Sequence, residues 1–375
     1  MNNKEILKEK ILKEEILKKR EYIKDIIKLN DTTLKIDFEN GSIKRSQEYT
    51  IDEDNNIDIK FENSLLDSKI YHIIDESNQD EINQKLKYKK GLINFEHTIF
   101  LVEVDFAYNH IDPMVLFGGS IFSKKVNFRI TTFKERADFS GTTFKEKADF
   151  SYTTFEKEAS FIETTFEKEV YFYTSTFKEE ANFSGTTFEK EVYFYISTFK
   201  EKACFYNSTF EKDAIFSWNI FNSRFIFSNV NTKINYKNEY IKIEQKNFKL
   251  DLKGAIINSM DYTNTDIKQA CNRETFLVLK ELAIKRYDSI VALDFHKKEY
   301  DKHRKDLSGD FLDKFILGFE YHSSRYGTNV FWPICWILVL NLIFILPLTS
   351  TLGIIDSFSI FSSFYWSYFF VILLF

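Results

Sequence analysis

Three side chains in the C-terminal half of the sequence have the types and the spacing that could bind a metal ion. His296 and His303 flank Glu299 in a segment of helical periodicity, so the three groups would share one helix face. The neighbouring sequence supplies no further ligands. We therefore interpret the group as an exposed polar helix face, and we predict no metal site and no cofactor.

The three cysteines are the other reactive side chains that stand out. Cys204, Cys271 and Cys335 lie far apart and form no CxxC or Cys/His pattern. This usage fits a reducing compartment without a disulfide framework. We interpret each cysteine as a small packing residue.

The sequence as a whole does not resemble that of an enzyme. We find no nucleophile–base set, no glycine loop for phosphates and no converging carboxylate pair, and only 11 glycines and 6 histidines are available to build one. The formal net charge is −5, from 51 basic and 56 acidic residues, so no global basic field would attract nucleic acid. We predict a non-enzymatic protein without a nucleic-acid partner.

A regular recurrence of phenylalanine dominates the middle of the chain. From Phe95 to Phe227 the gaps alternate between five and six residues, with Ile111 as the exception, which gives an eleven-residue repeat. On a helix, at about 100° per residue, such gaps would scatter the rings around the axis. The repeat therefore excludes a simple helix.

The residue two positions before each phenylalanine indicates short strands. It is mostly Val or Ala after the long gap and mostly Thr or Ser after the short gap, and residues i−2 and i share one face of a strand. Four strand–turn units, which is two of the eleven-residue repeats, would close one coil, with phenylalanines stacked in inner columns. The predicted core columns contain Phe133, Phe139, Phe144, Phe150, Phe155, Phe161, Phe166, Phe172, Phe177, Phe183, Phe188, Phe194, Phe199, Phe205, Phe210 and Phe216.

The stretch ADFSGTTF at 137–144 resembles the pentapeptide-repeat proteins, with phenylalanine in place of the central leucine and one residue added to every second unit. The resemblance implies a mainly β fold, a right-handed quadrilateral β-helix. Some members mimic B-form DNA and bind topoisomerases. Residues 133–216 contain eleven basic and sixteen acidic side chains, and the lysines interleaved with glutamates argue against such mimicry.

Six tyrosines on the repeats form a further pattern. They would lie on the outside of the coils, and we interpret them as a ladder stacked from coil to coil rather than as an exposed partner surface. They are Tyr152, Tyr171, Tyr173, Tyr193, Tyr195 and Tyr206.

The segments on either side of the repeats predict further domains. An N-terminal charged helix at 1–30 is followed by a small β-rich cap at 31–92, and the β-helix occupies 93–228. An irregular insertion and a last partial coil follow at 229–268, and a helical hairpin at 269–308.

The C-terminal segment predicts attachment to a membrane. An amphipathic interfacial helix at 309–327 precedes two transmembrane segments within 328–375, because the stretches 331–348 and 358–375 carry no charge. Lysine and arginine precede the first stretch and are missing between the two, so we expect the repeats on the cytoplasmic side of a bacterial inner membrane.

Three functions remain open from the sequence. The leading hypothesis is a scaffold or protein-binding surface, whose partners would be the membrane and an unknown protein, with a homodimer also open. The second is a regulatory or degenerate ion-channel component, although no TVGYG-like filter occurs. The third is a topoisomerase-binding DNA mimic.

Overall fold

The computed structural model describes most of the chain up to residue 324. The described residues are 22–40, 43–60, 68–87, 89–230, 232–237, 240–245, 248–265, 267–307 and 311–324, together with positions 335, 338 and 339.

The N-terminal part is a small antiparallel sheet of three strands in the order β1–β2–β3. Alternation of apolar and polar residues places Leu34, Ile36 and Phe38 on its buried face. The strands are β1 (Tyr22–Asn30), β2 (Thr33–Asn40) and β3 (Ile43–Thr50).

The helix predicted for residues 1–30 is wrong for its last part. Tyr22–Asn30 is a strand, and it pairs with β2 from Tyr22↔Glu39 to Asn30↔Thr33. The lysines and glutamates of this region favour a helix locally, but sheet pairing and burial of Ile23 outweigh that propensity. Residues 1–21 lie outside the described residues.

Two further strands and a short helix connect this sheet to the repeats. Strands β4 and β5 pair antiparallel, and β5 then pairs in parallel with the first repeat strand of its face, so the sheet of the solenoid continues into the cap. The helix is a feature that the alternation at 31–92 did not predict. The elements are β4 (Asn56–Lys60), β5 (Ser68–Ile74) and α1 (Asp80–Leu86).

The repeats form a β-helix of short parallel strands. Each coil contributes one strand to each of four faces, which we number 1 to 4 in chain order from β6. The strands are β6 (Leu92–Asn94), β7 (Thr98–Phe100), β8 (Val104–Asp105), β9 (His110–Ile111), β10 (Met114–Leu116), β11 (Ile121–Phe122), β12 (Val126–Asn127), β13 (Thr132–Phe133), β14 (Ala137–Asp138), β15 (Thr143–Phe144), β16 (Ala148–Asp149), β17 (Thr154–Phe155), β18 (Ala159–Ser160), β19 (Thr165–Phe166), β20 (Val170–Tyr171), β21 (Thr176–Phe177), β22 (Ala181–Asn182), β23 (Thr187–Phe188), β24 (Val192–Tyr193), β25 (Thr198–Phe199), β26 (Ala203–Cys204), β27 (Thr209–Phe210) and β28 (Ala214–Ile215).

The register of these strands gives the length of a coil. Phe122 pairs with Phe144, and Phe144 pairs with Phe166, so each strand contacts the strand that lies two eleven-residue repeats further along. Face 3, which starts at β8, contains eight strands, and the β-helix therefore has about eight coils.

The C-terminal coils are less regular. A hairpin of β30 and β31 interrupts the repeats, after which β32 pairs with β28 and β34 pairs with β32, so the coils resume on face 3. This hairpin lies within the insertion predicted for 229–268. The strands are β29 (Ile220–Ile226), β30 (Thr232–Lys237), β31 (Tyr240–Gln245), β32 (Lys249–Asp251), β33 (Ile256–Asp261) and β34 (Gln269–Ala270).

Phenylalanine rings fill the interior of the β-helix in stacked columns. The rings of Phe150 and Phe172 lie 4.9 Å apart at an interplanar angle of 7°, and Phe139 meets Phe150 edge to face at 5.5 Å. All sixteen phenylalanines of the predicted columns are at most 1% exposed. Burial of each ring contributes about 1.5–3 kcal/mol, so the columns are the main source of stability.

Buried hydroxyl groups form a second ladder beside the rings. Thr153 Oγ1 donates a hydrogen bond of 2.7 Å to the carbonyl of Phe128 in the preceding coil, and Thr142 and Thr164 make the equivalent bonds. The small residues predicted to fill the space beside the phenylalanines therefore also satisfy backbone carbonyls in the core.

Three helices with described bounds follow the β-helix, and the chain divides into two compact units after Val278. The helices are α2 (Arg273–Lys285), α3 (Ser289–Asp306) and α4 (Phe311–Ser324). The side chain of Asp288 caps α3 by accepting a hydrogen bond of 3.1 Å from the backbone amide of Val291.

The two transmembrane segments within 328–375 remain a prediction. The stretches 331–348 and 358–375 lie almost entirely outside the described residues. Within the part that the structure describes, no helix has the length and apolar character needed to cross a bilayer.

The phenylalanine columns generate the first prediction. Phe150→Ala and Phe172→Ala each leave a cavity in a close-packed interior, and each should lower the free energy of unfolding by about 3–5 kcal/mol. Urea denaturation of the full chain, followed by circular dichroism, measures the loss.

The matched control for this prediction is Tyr152→Ala, which truncates an aromatic side chain that is 51% exposed in the same region. Unfolding curves for Phe150→Ala and Phe172→Ala that coincide with that control would contradict the columns.

Candidate functional site

A buried carboxylate joins the helices α2 and α3. Glu299 is 1% exposed, and its Oε2 lies 3.2 Å from Lys280 Nζ and 3.7 Å from His296 Nδ1. The interpretation as an exposed polar face is therefore wrong for Glu299, because a lysine of the neighbouring helix compensates its burial. Within the described ranges no group of three possible metal ligands occurs, and His303 does not join Glu299 in one.

The three cysteines are unpaired thiols in the structure. Cys204 is buried beside Ser184, with 3.2 Å between Sγ and Oγ. Burial, together with the charges of Asp213 and Asp251, raises the pKa of Cys271 to about 12. Its thiolate is therefore scarce at neutral pH, and Cys271 is a poor nucleophile.

Charged side chains form ladders along the corner that follows face 4. Glu156 lies between Lys134 at 3.2 Å and Lys178 at 2.9 Å, one in the coil before and one in the coil after, and Lys157 pairs with Glu179 at 2.7 Å. Such exposed pairs contribute little stability each. The alternation leaves no uniformly acidic stripe on this corner.

The corner that follows face 2 has a different arrangement. Glu167, Glu189 and Glu211 stack in successive coils, since the backbone amide of each bonds to face 2 of the coil before. Burial raises the pKa of Glu189, and the charges of Glu167 and Glu211 raise it further. The middle carboxyl is therefore held closer to neutrality than an isolated glutamate.

The N-terminal sheet meets face 2 beside this column. Lys145 is 8% exposed, and its Nζ donates to the carbonyls of Ile23 at 3.2 Å and Lys24 at 2.8 Å while pairing with Glu167 at 3.2 Å. A cleft of about 610 Å³ lies beside these groups and is lined by lysines and carboxylates. Because Lys145 is fully partnered there, we interpret it as a structural contact.

Face 3 carries a group of tyrosines that we name the aromatic face. Tyr171 and Tyr193 stack with ring centroids 5.1 Å apart, and Tyr173 meets Tyr195 edge to face at 6.3 Å. Tyr195 is 40% exposed. These four of the six tyrosines thus form a ladder from coil to coil and also a surface accessible to a partner, whereas Tyr152 lies on the corner between faces 3 and 4 and Tyr206 follows a strand of face 1.

The ridge is the column of exposed residues along the corner between faces 3 and 4. Each member has a φ close to +60°, a left-handed conformation that glycine and asparagine adopt most readily and that costs other residues about 1–2 kcal/mol. The ridge consists of Tyr108, Ile130, Tyr152, Thr174, Ile196 and Trp218, all of them exposed, and the same column continues in the next coil with Gly254, at a φ of +65°.

The equivalent corner after face 1 shows what these positions normally hold. There most left-handed positions hold glycine or asparagine, although His97 and Glu163 occupy two of them; the small residues are Gly119, Gly141, Gly185, Asn207 and Asn229. Apart from Thr174, the ridge therefore keeps large side chains in solvent at positions where small ones would cost less. Sequence reasoning missed the ridge, although its spacing of one residue per coil is visible once the length of a coil is known.

Comparison with known families identifies the repeat. Residues 117–165 and 150–195 match the family model described as pentapeptide repeats (9 copies). The matched residues lie within the β-helix and amount to well under half of the 375-residue chain. No curated protein and no solved structure gives a significant match.

The raised pKa of Glu189 generates a prediction of pH dependence. The folded protein binds this proton more tightly than the unfolded chain, so the group favours folding at low pH and loses that contribution as the pH rises through the raised value. Glu189→Gln should therefore raise the melting temperature at pH 7 and leave it unchanged below about pH 4.

Thermal melts of wild type and variant at both pH values check this prediction. Glu201→Gln is the matched control, because Glu201 is exposed on the corner that follows face 4. A gain at pH 7 that is equal in the two variants, or a lower melting temperature for Glu189→Gln, would contradict the stacked carboxylates.

Proposed function

We propose that this protein is a non-enzymatic scaffold that binds a protein partner through the aromatic face and the ridge, on the cytoplasmic side of a bacterial inner membrane. The observation that carries the binding role is the ridge. Its large side chains remain exposed at positions with a conformational cost, although the ring of Trp218 also packs on Gly254 of the next coil.

The composition of this surface also supports binding. Tyrosine and tryptophan are enriched at the centres of protein interfaces, where they bury much area with little loss of side-chain freedom. Here the backbone beneath them is a stack of hydrogen-bonded coils. A partner would therefore meet a rigid surface that needs little ordering on binding.

The proposed membrane location is supported by the sequence and by α4. Phe315, Ile316 and Phe319 on this helix are 61%, 57% and 56% exposed. An exposed apolar helix face suits the interface of a bilayer, and the uncharged stretch 331–348 follows shortly after it. Lysine and arginine before that stretch favour the cytoplasmic side.

The alternating ladders beside face 4 make the DNA-mimic alternative weaker. A mimic of DNA needs a continuous acidic surface, whereas Glu156 and Glu179 are each paired with lysine. No specific contact in the described residues favours the channel alternative.

Site-specific photocrosslinking tests the binding surface. A benzoylphenylalanine placed at Ile196, on the ridge, should form protein adducts in cells, and the same group at Lys200 on face 4's corner should form several-fold fewer. Both positions are exposed, so the comparison controls for accessibility. Equal adduct yields from the two positions would contradict a partner on the aromatic face.

Fusion to reporters tests the membrane location. A reporter joined after Leu307 should be active in the cytoplasm, and one inserted at Gly353 should be active on the far side of the membrane. The full chain should also stay with the membrane fraction in alkaline carbonate. Release by carbonate, or the opposite reporter pattern, would contradict the proposed anchor.

A further inference from the structure

The charges along one edge of the aromatic face change sign halfway along the coils. This edge holds the residue just before each strand of face 3, and its four central members are Lys125, Lys147, Glu169 and Glu191 in successive coils. Two basic residues are thus followed by two acidic ones. The point of sign change lies between the coils of Asp149 and Tyr171.

The ridge, on the opposite edge of the same face, is nearly palindromic about the same point. Counting outward from it, Tyr152 corresponds to Thr174, Ile130 to Ile196, and Tyr108 to Trp218. Apart from the central pair, the residue classes therefore read alike in both directions.

The outward strand positions between these edges carry hydrogen-bond acceptors on one side of the sign change and donors on the other. Asn127 and Asp149, with their side-chain acceptors, lie on one side of it, and Tyr171 and Tyr193, with their phenolic donors, lie on the other. Burial and nearby carboxylates raise the pKa of Tyr171 and of Tyr193, so both hydroxyls keep their protons and can donate.

Next to this column, Arg129 corresponds to Tyr195. The Arg129 guanidinium already lies 5.9 Å from the ring of Tyr152 in its own chain, which shows that it can reach an aromatic face. The central positions of all four columns thus carry complementary or matching groups about one point, whereas Asp105 and Ile215 at the two ends of the strand column do not.

We propose that the aromatic face binds a second copy of this chain in an antiparallel arrangement, with a twofold axis between the coils of Asp149 and Tyr171. This proposal rests on the proposed function and names the partner of the same surface. A twofold axis in the plane of the face, perpendicular to the stack, reverses the order of the coils and keeps each column opposite itself. Lys125 then meets Glu191 of the second copy, and Lys147 meets its Glu169.

The size of the contact sets the expected affinity. Six coils at about 4.8 Å each give a contact about 29 Å long, at the lower end of specific interfaces. At its two ends the pairing sets Glu103 against Asp213, a repulsion at the exposed rim. We therefore expect a dissociation constant in the micromolar range at moderate salt, and weaker association at high salt.

Charge exchange across the proposed interface tests the pairing. Lys125→Glu should raise the dissociation constant of the full chain at least about tenfold, because the twofold axis places the change at two contacts. Glu191→Lys should do the same. Combining the two changes should restore association to within about threefold of wild type.

Restored association in the double variant would report contact between two copies and nothing else. Within one chain Lys125 and Glu191 are three coils, about 14 Å, apart, so only contact between two copies can couple them. Lys200→Glu, which changes the net charge equally on face 4's corner, is the control and should leave the dissociation constant unchanged. Analytical ultracentrifugation in a mild detergent measures association, and circular dichroism checks that each variant is folded.

Disulfide trapping tests the antiparallel direction. One tagged chain carries Ile130→Cys and a second, differently tagged chain carries Ile196→Cys, because the proposed axis pairs these two positions and separates each from its own copy by about 14 Å along the stack. Mild oxidation should link the two chains to each other several-fold more than it links either chain to its own kind, and wild type controls for the native thiols. Same-position links would overturn the antiparallel pairing.

A wild-type chain that stays monomeric at about 100 μM would overturn the dimer altogether, since that concentration is well above the expected dissociation constant. If such a monomer still formed adducts with other proteins from Ile196, the dimer would be refuted and the scaffold function would stand. A chain that stays monomeric and also forms no adducts from Ile196 would refute both proposals.

Discussion

Stacking of phenylalanine rings in the interior is the interaction on which the rest of the structure depends. The strands of the repeats are mostly two residues long, far too short to be stable by pairing alone. They hold together because each coil places a ring on the ring of the coil before, as Phe144 does on Phe122 at 5.0 Å. Every coil must therefore contain two complete eleven-residue repeats, and the backbone follows that requirement.

This interior requirement leaves the outward positions to serve other roles. The corners differ in what they hold, although their backbones are alike. The corner that follows face 1 holds mostly glycine and asparagine at its left-handed positions, whereas the ridge holds tyrosine, isoleucine and tryptophan at the same φ. The core does not dictate these choices, and they fit the binding role proposed for the ridge and the aromatic face.

The sequence predicts the β-helix well because its signal is repeated: each coil gives an independent reading of the same spacing. It predicts the N-terminal segment less well, since Tyr22–Asn30 forms a strand only through pairing with β2, a contact that local helix propensity does not reveal. Burial of Glu299 likewise depends on Lys280 from another helix. Recognition of the ridge needs both the length of a coil and the sign of φ, and φ is visible only in the structure.

The distance between two labels on face 4 tests the length of the coil most directly. His110 and Ile220 are exposed, and they belong to one column of paired strands that are five coils apart. With the native cysteines replaced, spin labels at these positions should give a backbone separation of about 24 Å by electron paramagnetic resonance. A separation of about 48 Å, which a coil of a single eleven-residue repeat would give, would contradict the four-sided β-helix.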